Sequence, residues 1–411
     1  MTVLDLDFAR AQFPAFAEPS LQGFAHFDNA GGSYACRQTI DWLERYYRQT
    51  KVQPYNDYPA SRLAGKQMDA ARERMAAWLN VEPDELHLGP SSSQNTYVVA
   101  QALRELLKPG DEVIVTNQDH EANIGVWTRL ASAGIVVREW QVDPTTAELH
   151  TEDLKALLGP RTRAVAFTHC SNIVGSINPV REWTDLVHRA DARAIVDGVS
   201  FCPHGLPDME SLGADIYFFS LYKVYGPHLG AMYVSGDFAS ELPHQGHFFN
   251  AGRAAHRFTP AGADHAQVAS VNGVMDYMDA CADRHGFSEA DTPARANSVR
   301  TLFRDHETAL LRPLLDFLSK HPRIRMIGKD RGVERAPTVA FTVEKQRSTE
   351  LATRLSEFDL SVGVGHFYAY RLIKALGIDT KDGVLRASFV HYTSPAEVSR
   401  LIDALASVLP D

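Results

Sequence analysis

The chain has 411 residues, of which 45% are hydrophobic and 22% are charged, and its formal net charge is -10. This length and ordinary globular composition predict two or three domains. The acidic balance, with no block of lysine or arginine, argues against a nucleic-acid partner. No apolar run approaches the length of a membrane span, and the N-terminus lacks the basic region of a signal peptide. We therefore expect a cytoplasmic protein with no membrane partner.

Cysteine and histidine spacing gives no sign of a metal site. The cysteines at positions 36, 170, 202 and 281 form no CxxC pair, and the histidines form no HExxH pair. Such spacing is typical of reduced thiols in a cytosolic protein. We predict no metal ligands.

The centre of the chain alternates short apolar runs with helix-compatible segments. Segments 151–158 and 180–189 are the clearest candidate helices. Short, fully apolar strands separated by helices predict a mostly parallel sheet that is covered on both faces. The predicted strands are 112–115, 135–137, 164–167, 194–196 and 216–219. A further strand is predicted at 230–234, and the short turn at Gly226-Pro227 favours an antiparallel direction for it.

After about residue 272 the pattern changes to one long predicted helix, 294–320, followed by strands that alternate with helices. This mixture predicts a smaller α+β domain. Its predicted strands are 323–327, 338–343 and 384–390, and its shorter helices are 348–358 and 395–409. We assign residues 20–272 to a large domain, and residues 1–19 and 273–411 to a small one.

Two charged residues follow two of the central strands. Asp197 ends the run that begins at Arg193, and Lys223 follows the apolar run that ends in Ser220. In open α/β sheets ligands bind outside the carboxyl ends of the strands, so we expect these two side chains to lie together. A lysine forms a Schiff base with an aldehyde, and an aspartate keeps a pyridine nitrogen protonated, so that the ring draws electrons. This pair is what pyridoxal phosphate (PLP) requires.

From the motif Phe27-Asp28-Asn29-Ala30 to Arg386-Ala387-Ser388-Phe389, the chain resembles a class V aminotransferase of PLP fold type I. It is most similar to the branch that resembles cysteine desulfurases. The resemblance implies an α/β fold whose large domain holds a mixed, mostly parallel seven-stranded sheet. It also implies three catalytic residues, with Lys223 as the Schiff-base lysine, Asp197 at the pyridine nitrogen and His120 stacked on the ring.

The same resemblance implies the remaining cofactor contacts. Ser92 and Ser93 match the family's phosphate-binding pair, although a serine run before a helix is more often a simple N-cap. Thr259 matches a threonine that reaches the phosphate of the neighbouring subunit, which implies a homodimer with shared active sites. The other implied contacts are Ser220 and Tyr222 at the phosphate, Asn172 at the 3-hydroxyl and the substrate carboxylate, and Ser200 at the phenolic oxygen. Desulfurases usually carry histidine where Tyr222 stands, and a tyrosine there resembles kynureninase-type relatives.

The expected substrate-binding residues include one departure from the desulfurase pattern. Arg386 is the implied carboxylate anchor, since a guanidinium binds carboxylates in bidentate fashion. His366 matches a family histidine, but the cysteine that accepts sulfur in desulfurases falls on Tyr368. A phenol with an unperturbed pKa near ~10 is a far weaker nucleophile than a thiolate. The family arginine two residues before Gly365 is also absent, replaced by Gly363. We therefore do not expect a persulfide mechanism.

These residues predict a PLP-dependent enzyme that acts on the Cα of an amino acid or amino-acid-like substrate. We favour transamination, which requires only that Lys223 return a proton to the cofactor. The alternatives are a β-elimination (carbon–sulfur) lyase, a desulfurase-like activity, an epimerase, and a PLP-binding relative without turnover. Tyr368 and His366 would assist as acids or simply line the pocket. A nicotinamide-dependent dehydrogenase is excluded because no GxGxxG follows an early strand.

Overall fold

The computed structural model describes residues 2–289, 291–330 and 334–409. Within these residues, twelve strands form two sheets. The strands are β1 (Ala25–Phe27), β2 (Leu86–Gly89), β3 (Glu112–Thr116), β4 (Val136–Trp140), β5 (Thr162–Thr168), β6 (Arg193–Asp197), β7 (Ile216–Ser220), β8 (Gly230–Val234), β9 (Ile324–Ile327), β10 (Thr338–Val343), β11 (Leu360–Gly365) and β12 (Val384–Ser388).

Helices cover both faces of the larger sheet and one face of the smaller. They are α1 (Leu6–Ala11), α2 (Arg37–Gln49), α3 (Pro59–Leu79), α4 (Ser92–Leu106), α5 (Gly125–Thr128), α6 (Thr151–Leu157), α7 (Val180–Arg189), α8 (Met209–Leu212), α9 (Gly236–Glu241), α10 (His265–Arg284), α11 (Thr292–Lys320), α12 (Ser348–Ser356), α13 (Tyr370–Ala375) and α14 (Pro395–Val408). In the part of the chain that the structure describes, no helix combines the length and apolarity needed to cross a membrane.

The larger sheet has seven strands in the order β2-β8-β7-β6-β5-β3-β4. The five strands from β7 to β4 run parallel, and β8 is antiparallel to both of its neighbours. Apart from the edge strand β4, its strands are largely buried because helices cover both faces, which is why most of them are apolar runs in the sequence. The predicted mixed, mostly parallel seven-stranded sheet is confirmed, as is the antiparallel strand at 230–234.

The smaller sheet has the order β1-β11-β12-β10-β9. Strand β1 pairs in parallel with β11, and the remaining pairs are antiparallel. Helices α11, α12 and α14 pack on it through a leucine-rich core that includes Leu314, Leu351 and Leu405. Residues 25–27 therefore join the sheet of the C-terminal region. The predicted domain boundaries, with residues 20–272 in one domain, stay a prediction.

A close approach between β8 and the start of α4 shapes one end of the site. A Cβ atom at Gly230 would lie 2.2 Å from the backbone carbon of Ser91 and 2.3 Å from the backbone nitrogen of Ser92. Only glycine fits there. Ser91 caps α4 by accepting a hydrogen bond from the Gln94 N–H at 3.1 Å, which leaves the first turn of the helix facing the carboxyl end of β7.

Candidate active site

A cleft opens where the parallel strands β3, β5, β6 and β7 end. It is lined by all of the predicted cofactor-binding residues except Thr259: Ser92, Ser93, Asn172, Asp197, Ser200, Ser220, Tyr222 and Lys223. His120 lines it as well. The structure therefore brings together residues that lie up to 131 positions apart, the separation of Ser92 from Lys223. This is the strand-end location expected for a ligand in an open α/β sheet.

Lys223 and Asp197 lie at the bottom of the cleft and are 7% and 6% exposed. Burial, together with the positive charge of Arg386, lowers the pKa of Lys223 to about 8, while Asp197 and Asp28 oppose that shift. The Oδ1 atom of Asp197 accepts a hydrogen bond from the Val199 N–H at 2.8 Å. Burial raises the pKa of this carboxyl to about 6. A partly neutral lysine beside a buried carboxyl suits the capture of an aldehyde whose ring nitrogen needs a counter-ion.

The other end of the cleft offers donors suited to a phosphate. The hydroxyls of Ser92 and Ser220 are 3.0 Å apart, and the N-terminus of α4 points its free N–H groups toward them. Tyr222 adds a phenol, and its ring stacks on that of His228 with a centroid distance of 5.0 Å. A buried lysine, a buried carboxyl and a hydroxyl-rich helix start together fit PLP. We call these groups, with His120, the floor of the site.

His120 is held in one orientation at the side of the cleft. Its Nδ1 accepts a hydrogen bond from the Ala122 N–H at 3.1 Å, so the ring proton lies on Nε2. Burial, with the positive charges of Lys223 and Arg386, lowers its pKa to about 4. Asp119 fixes the backbone here by accepting from the His120 N–H at 2.7 Å. A neutral, oriented imidazole is therefore available at this wall.

Arg386 is 1% exposed and is already engaged by other parts of the chain. Its Nη2 donates to Asp28 Oδ1 at 2.7 Å, and its Nη1 donates to the backbone oxygen of Asn172 at 3.1 Å. The ring of Phe367 covers the face of the guanidinium at 3.6 Å. Among the described residues, the buried Nε has no hydrogen-bond partner. Burial is the main cause that lowers the pKa of Arg386, and Asp28 opposes it.

The segment after β11 closes over this arginine. The Asn172 side chain donates to the backbone oxygen of Phe367 at 2.9 Å, and the Glu121 N–H donates to that of Tyr368 at 2.8 Å. Phe367 and Tyr368 both have left-handed backbones, with φ of 46° and 60°, so these two bonds hold a conformation that non-glycine residues seldom adopt. His366 supports the turn by accepting from the Tyr368 N–H at 3.2 Å. The segment is fixed against the large sheet.

Tyr368 lies at the mouth of the cleft. Its ring centroid is 5.1 Å from that of His120, and 68% of the residue is exposed. A second cleft, which Tyr368 and His366 also line, extends from this point toward Arg371 and Glu139. We call Asp28, Gly363, Phe367, Tyr368 and Arg386 the rim of the site.

The absence of a side chain at Gly363 determines how the rim packs. A Cβ atom there would lie 2.7 Å from the Phe367 ring and 2.8 Å from Asp28 Oδ1. In the desulfurase pattern this position carries an arginine. In this chain, the Phe367 ring and the Asp28 carboxylate occupy the space beside the backbone of Gly363.

Thr259 is the one predicted cofactor residue that the structure does not bring to the cleft. Its hydroxyl donates to the backbone oxygen of Ala255 at 3.4 Å. The same segment exposes two aromatic side chains, with Phe248 89% and Phe249 70% exposed. A contact between Thr259 and a phosphate therefore requires a second subunit.

All four cysteines are free and buried. Cys170 lines the cleft, and burial raises its pKa to about 12. Burial likewise raises the pKa of Cys202 and that of Cys36, and it raises the pKa of Cys281 to about 12. These thiols stay protonated near neutral pH. No group of three or more potential metal ligands occurs in residues 2–289, 291–330 and 334–409.

Sequence reasoning missed two acidic residues at the site. Asp28 belongs to the Phe27–Ala30 motif that supported the family resemblance, but no role followed from it. Asp119 directly precedes His120 in the segment that was interpreted for its histidine alone. An isolated acidic residue in a loop is too common in sequences to indicate a role. The role of Asp28 becomes visible only from its contact with Arg386, and that of Asp119 only from its contact with the His120 N–H.

Comparison with known proteins agrees with the fold. The sequence model of the family described as aminotransferase class-V matches residues 25–277 and 281–401. The aminotransferase-like protein FGM3 of Gibberella zeae is 35% identical over 421 residues, which cover 98% of each chain. A cysteine desulfurase of Serratia proteamaculans is 27% identical, also over 98% of each chain. The apo cysteine desulfurase of Thermococcus onnurineus NA1 matches with a TM-score of 0.86 at 20% identity, over 100% of this chain and 99% of that one.

These matches extend over almost the whole chain, and the expected cofactor follows from the family together with the fold. The chain therefore belongs to the class V aminotransferase family, and it is a PLP-dependent enzyme of fold type I.

Proposed function

We propose that this protein is a lyase that acts on α-amino acids and expels a group from the substrate's β-carbon. When bound, PLP supplies the electron sink that acidifies the Cα–H bond of the amino acid. Lys223 takes the Cα proton, Arg386 holds the α-carboxylate, and Tyr368 gives a proton to the departing group. Asp197 and the start of α4 hold the cofactor's two ends.

The observation that carries this proposal is the position of Tyr368. The phenol lies beside His120 on a segment that Asn172 and Glu121 hold in place. A phenol is a poor sulfur nucleophile but a competent general acid, and general acids contribute about 10²–10⁴-fold to a proton-transfer step. Proton return to the cofactor needs only Lys223. A positioned second acid is useful when the substrate loses a side-chain group.

The cysteines give no support to sulfur transfer onto the protein. A persulfide requires an accessible thiolate, and the described thiols are buried with raised pKa values. We therefore propose that the expelled group leaves into solvent rather than onto a cysteine.

Transamination is the second candidate. It is favoured by the position of Lys223, which lies next to Asp197 at the bottom of the cleft and suffices by itself for proton movement between Cα and the cofactor. Transamination stays a prediction of the sequence, as does the epimerase alternative, which needs a second base opposite Lys223.

Leaving groups that differ in their need for a proton test the role of Tyr368. The holoenzyme is incubated with β-chloro-L-alanine and with L-cysteine, and pyruvate and ammonia are measured. Chloride leaves unprotonated, whereas the sulfur of cysteine leaves more readily with a proton. Tyr368→Phe should lower pyruvate formation from L-cysteine by about 10–100-fold and that from β-chloro-L-alanine by less than about twofold.

The matched control is Tyr47→Phe, which removes the phenol of another half-exposed tyrosine on α2, 53% exposed. It should change neither rate. If Tyr368→Phe lowered the rate of pyruvate formation equally with both substrates, Tyr368 would not be the general acid. Formation of one equivalent of oxo acid, with the cofactor left in its amine form and no ammonia, would instead establish transamination.

We also propose that the protein is a homodimer in which Thr259 of one subunit completes the phosphate site of the other. Its place outside the cleft of its own subunit, on a segment with exposed Phe248 and Phe249, supports this. Mixing Lys223→Ala subunits with Thr259→Ala subunits tests it. One site of each mixed dimer then has both residues, so activity should reappear. No recovery in dimers shown to exchange subunits would contradict shared sites. A cytoplasmic location remains a prediction from the sequence.

A further inference from the structure

Arg386, the proposed anchor for the substrate carboxylate, already holds a carboxylate of its own chain. Asp28 Oδ1 accepts from its Nη2 at 2.7 Å, and the Asn172 backbone oxygen accepts from its Nη1 at 3.1 Å. The guanidinium is almost fully buried, while the Asp28 side chain is 34% exposed. Asp28 is therefore the solvent-accessible partner of this ion pair.

The chain is shaped to accommodate the Asp28 carboxylate. A Cβ atom at Gly31 would lie 2.8 Å from Asp28 Oδ2, and one at Gly363 would lie 2.8 Å from Asp28 Oδ1. Each carboxylate oxygen thus fits against the backbone of a glycine. Neither glycine has a left-handed backbone, so the visible requirement for glycine is room for the Asp28 carboxylate and, at Gly363, for the Phe367 ring as well.

An incoming α-carboxylate competes with Asp28 for one positive charge. Two carboxylates on one buried guanidinium repel each other, and a buried charge that loses its partner is costly. A simple carboxylate therefore binds weakly as long as Asp28 keeps its place. An α-amino acid differs because it brings an ammonium group together with its carboxylate.

We infer that Asp28 is a specificity-determining residue that selects zwitterionic α-amino acids by exchange of ion pairs. The substrate carboxylate takes the place of Asp28 on Arg386, and the substrate ammonium becomes the new partner of Asp28. Asn29 and Ala30, the two residues that follow Asp28, line a small cavity together with Lys223, so Asp28 lies near the lysine that the amino group must reach. Every charge keeps a partner throughout the exchange.

This inference rests on the proposed role of Arg386, and it is tested with two ligands of the same carbon skeleton. Propionate has the carboxylate of L-alanine without its ammonium. The holoenzyme is first reduced with borohydride, so that Lys223 is blocked and binding is non-covalent. Calorimetry then gives the Kd of each ligand. Asp28→Asn keeps an oxygen that accepts from Arg386 but removes the negative charge.

In Asp28→Asn we expect propionate to bind about tenfold more tightly, because it no longer competes with a charged carboxylate for Arg386. We expect L-alanine to bind about tenfold more weakly, because its ammonium loses a charged partner. The preference for L-alanine over propionate should therefore fall about 100-fold. The matched control is Asp185→Asn on α7, which also removes an ion-paired carboxylate, 40% exposed and paired with Arg181. It should leave both Kd values unchanged.

Arg386→Met separates this inference from the proposed function, with Arg386→Lys as a second variant if the first does not fold. If propionate affinity is the same in the wild type and in an Arg386 variant, then Arg386 is not the anchor, and the exchange fails with it. Arg386 variants could lose propionate binding while Asp28→Asn lowers the affinity for both ligands. Arg386 would then bind the carboxylate, but the ion-pair exchange at Asp28 would be wrong. If Asp28→Asn lowers the Kd for propionate and raises the Kd for L-alanine, the exchange of ion pairs is confirmed.

Discussion

The floor and the rim of the active site belong to different sheets, and they follow the family pattern to different degrees. The floor lies at the strand ends of the seven-stranded sheet and carries the expected lysine, aspartate, histidine and serines. Strands β1, β11 and β12 of the smaller sheet, with the segment after β11, form the rim. There a tyrosine replaces the desulfurase cysteine and a glycine replaces an arginine.

This difference assigns separate tasks to the two regions. In the proposed function, cofactor capture and Cα proton transfer depend on groups on the floor, because PLP supplies the hard chemistry. In the same proposal, the choice of substrate and the fate of its side chain depend on groups on the rim. A change on the floor should therefore stop every reaction, whereas a change on the rim should alter which reaction proceeds.

The largest effect is expected for Lys223→Ala. With the proton carrier and the attachment point both removed, turnover of every amino acid should fall by about 10³-fold or more. Steady-state rates with β-chloro-L-alanine measure the loss. Lys155→Ala, which removes an exposed lysine paired with Glu152 on α6, is the control and should retain full activity. Residual turnover within about tenfold of the wild type would show that proton transfer does not depend on the floor lysine.

The second-largest effect is expected because the positive charge of Arg386, on the rim, acts on the pKa of Lys223, on the floor. Lys223 attacks an aldehyde only as the neutral amine, and its pKa in the chain is about 8. The rate at which apo-protein takes up PLP should therefore rise about tenfold per pH unit below pH 8 and level off above it. The positive charge of Arg386 contributes to the lowered pKa of Lys223, so Arg386→Met should raise that pKa. Uptake near pH 7 should then fall several-fold, to at most about tenfold, with the plateau moved to higher pH.

Absorbance of the captured cofactor follows this uptake. The control Arg181→Met removes an exposed arginine on α7 and should leave the pH profile in place. A profile that stays fixed when Arg386 is removed would mean that the rim does not set the protonation of the floor lysine.

A smaller effect is expected from filling the space beside Gly363. Gly363→Ala places a methyl group within 2.8 Å of both the Phe367 ring and Asp28 Oδ1, so these must move. We expect a loss of about 1–3 kcal/mol of unfolding free energy, measured by denaturant titration, and a several-fold higher KM, because overpacking shifts neighbouring groups. Gly252→Ala, with open space around its added methyl group, should change neither. An unchanged KM would show that substrate binding does not depend on the packing of Phe367 and Asp28 against Gly363.

The smallest effect concerns the thiol that lines the cleft. Cys170 is buried and protonated, so Cys170→Ala should change activity by less than about twofold. Sulfide release from L-cysteine is the informative measurement. If the variant loses sulfide release while keeping pyruvate formation from β-chloro-L-alanine, a buried thiol takes part in sulfur transfer after all.

Much of the floor was predictable because it depends on local sequence. Apolar, β-branched runs indicate buried parallel strands, and the residues that end these runs lie at the edge of the sheet where ligands bind. The strands that escaped prediction are β1, β2 and β11, which are short or contain glycine. In β11 the first three residues, from Leu360, pair with β1, and the last three, to Gly365, pair with β12.

The rim was less predictable because its contacts are long-range. Asp28 meets a partner 358 positions away, and the pair fits only because Gly363 lacks a side chain. No local sequence pattern predicts that Asp28, Arg386 and Gly363 lie together. Phe367 and Tyr368 adopt left-handed backbones without a glycine. They are held there by the side chain of Asn172, in a turn after β5, and by the Glu121 N–H.

The parallel pairing of β1 with β11 has a consequence for the order in which the protein matures. Every strand of the larger sheet is complete by Val234, so all residues of the floor have been synthesised while residues 235–411 are still to be made. Asp28 is synthesised early, but β11 and β12 follow more than three hundred residues later. Until they arrive, Asp28 has no guanidinium to neutralise and β1 has no neighbour. Chain synthesis thus completes the floor before β11 and β12 of the rim are made.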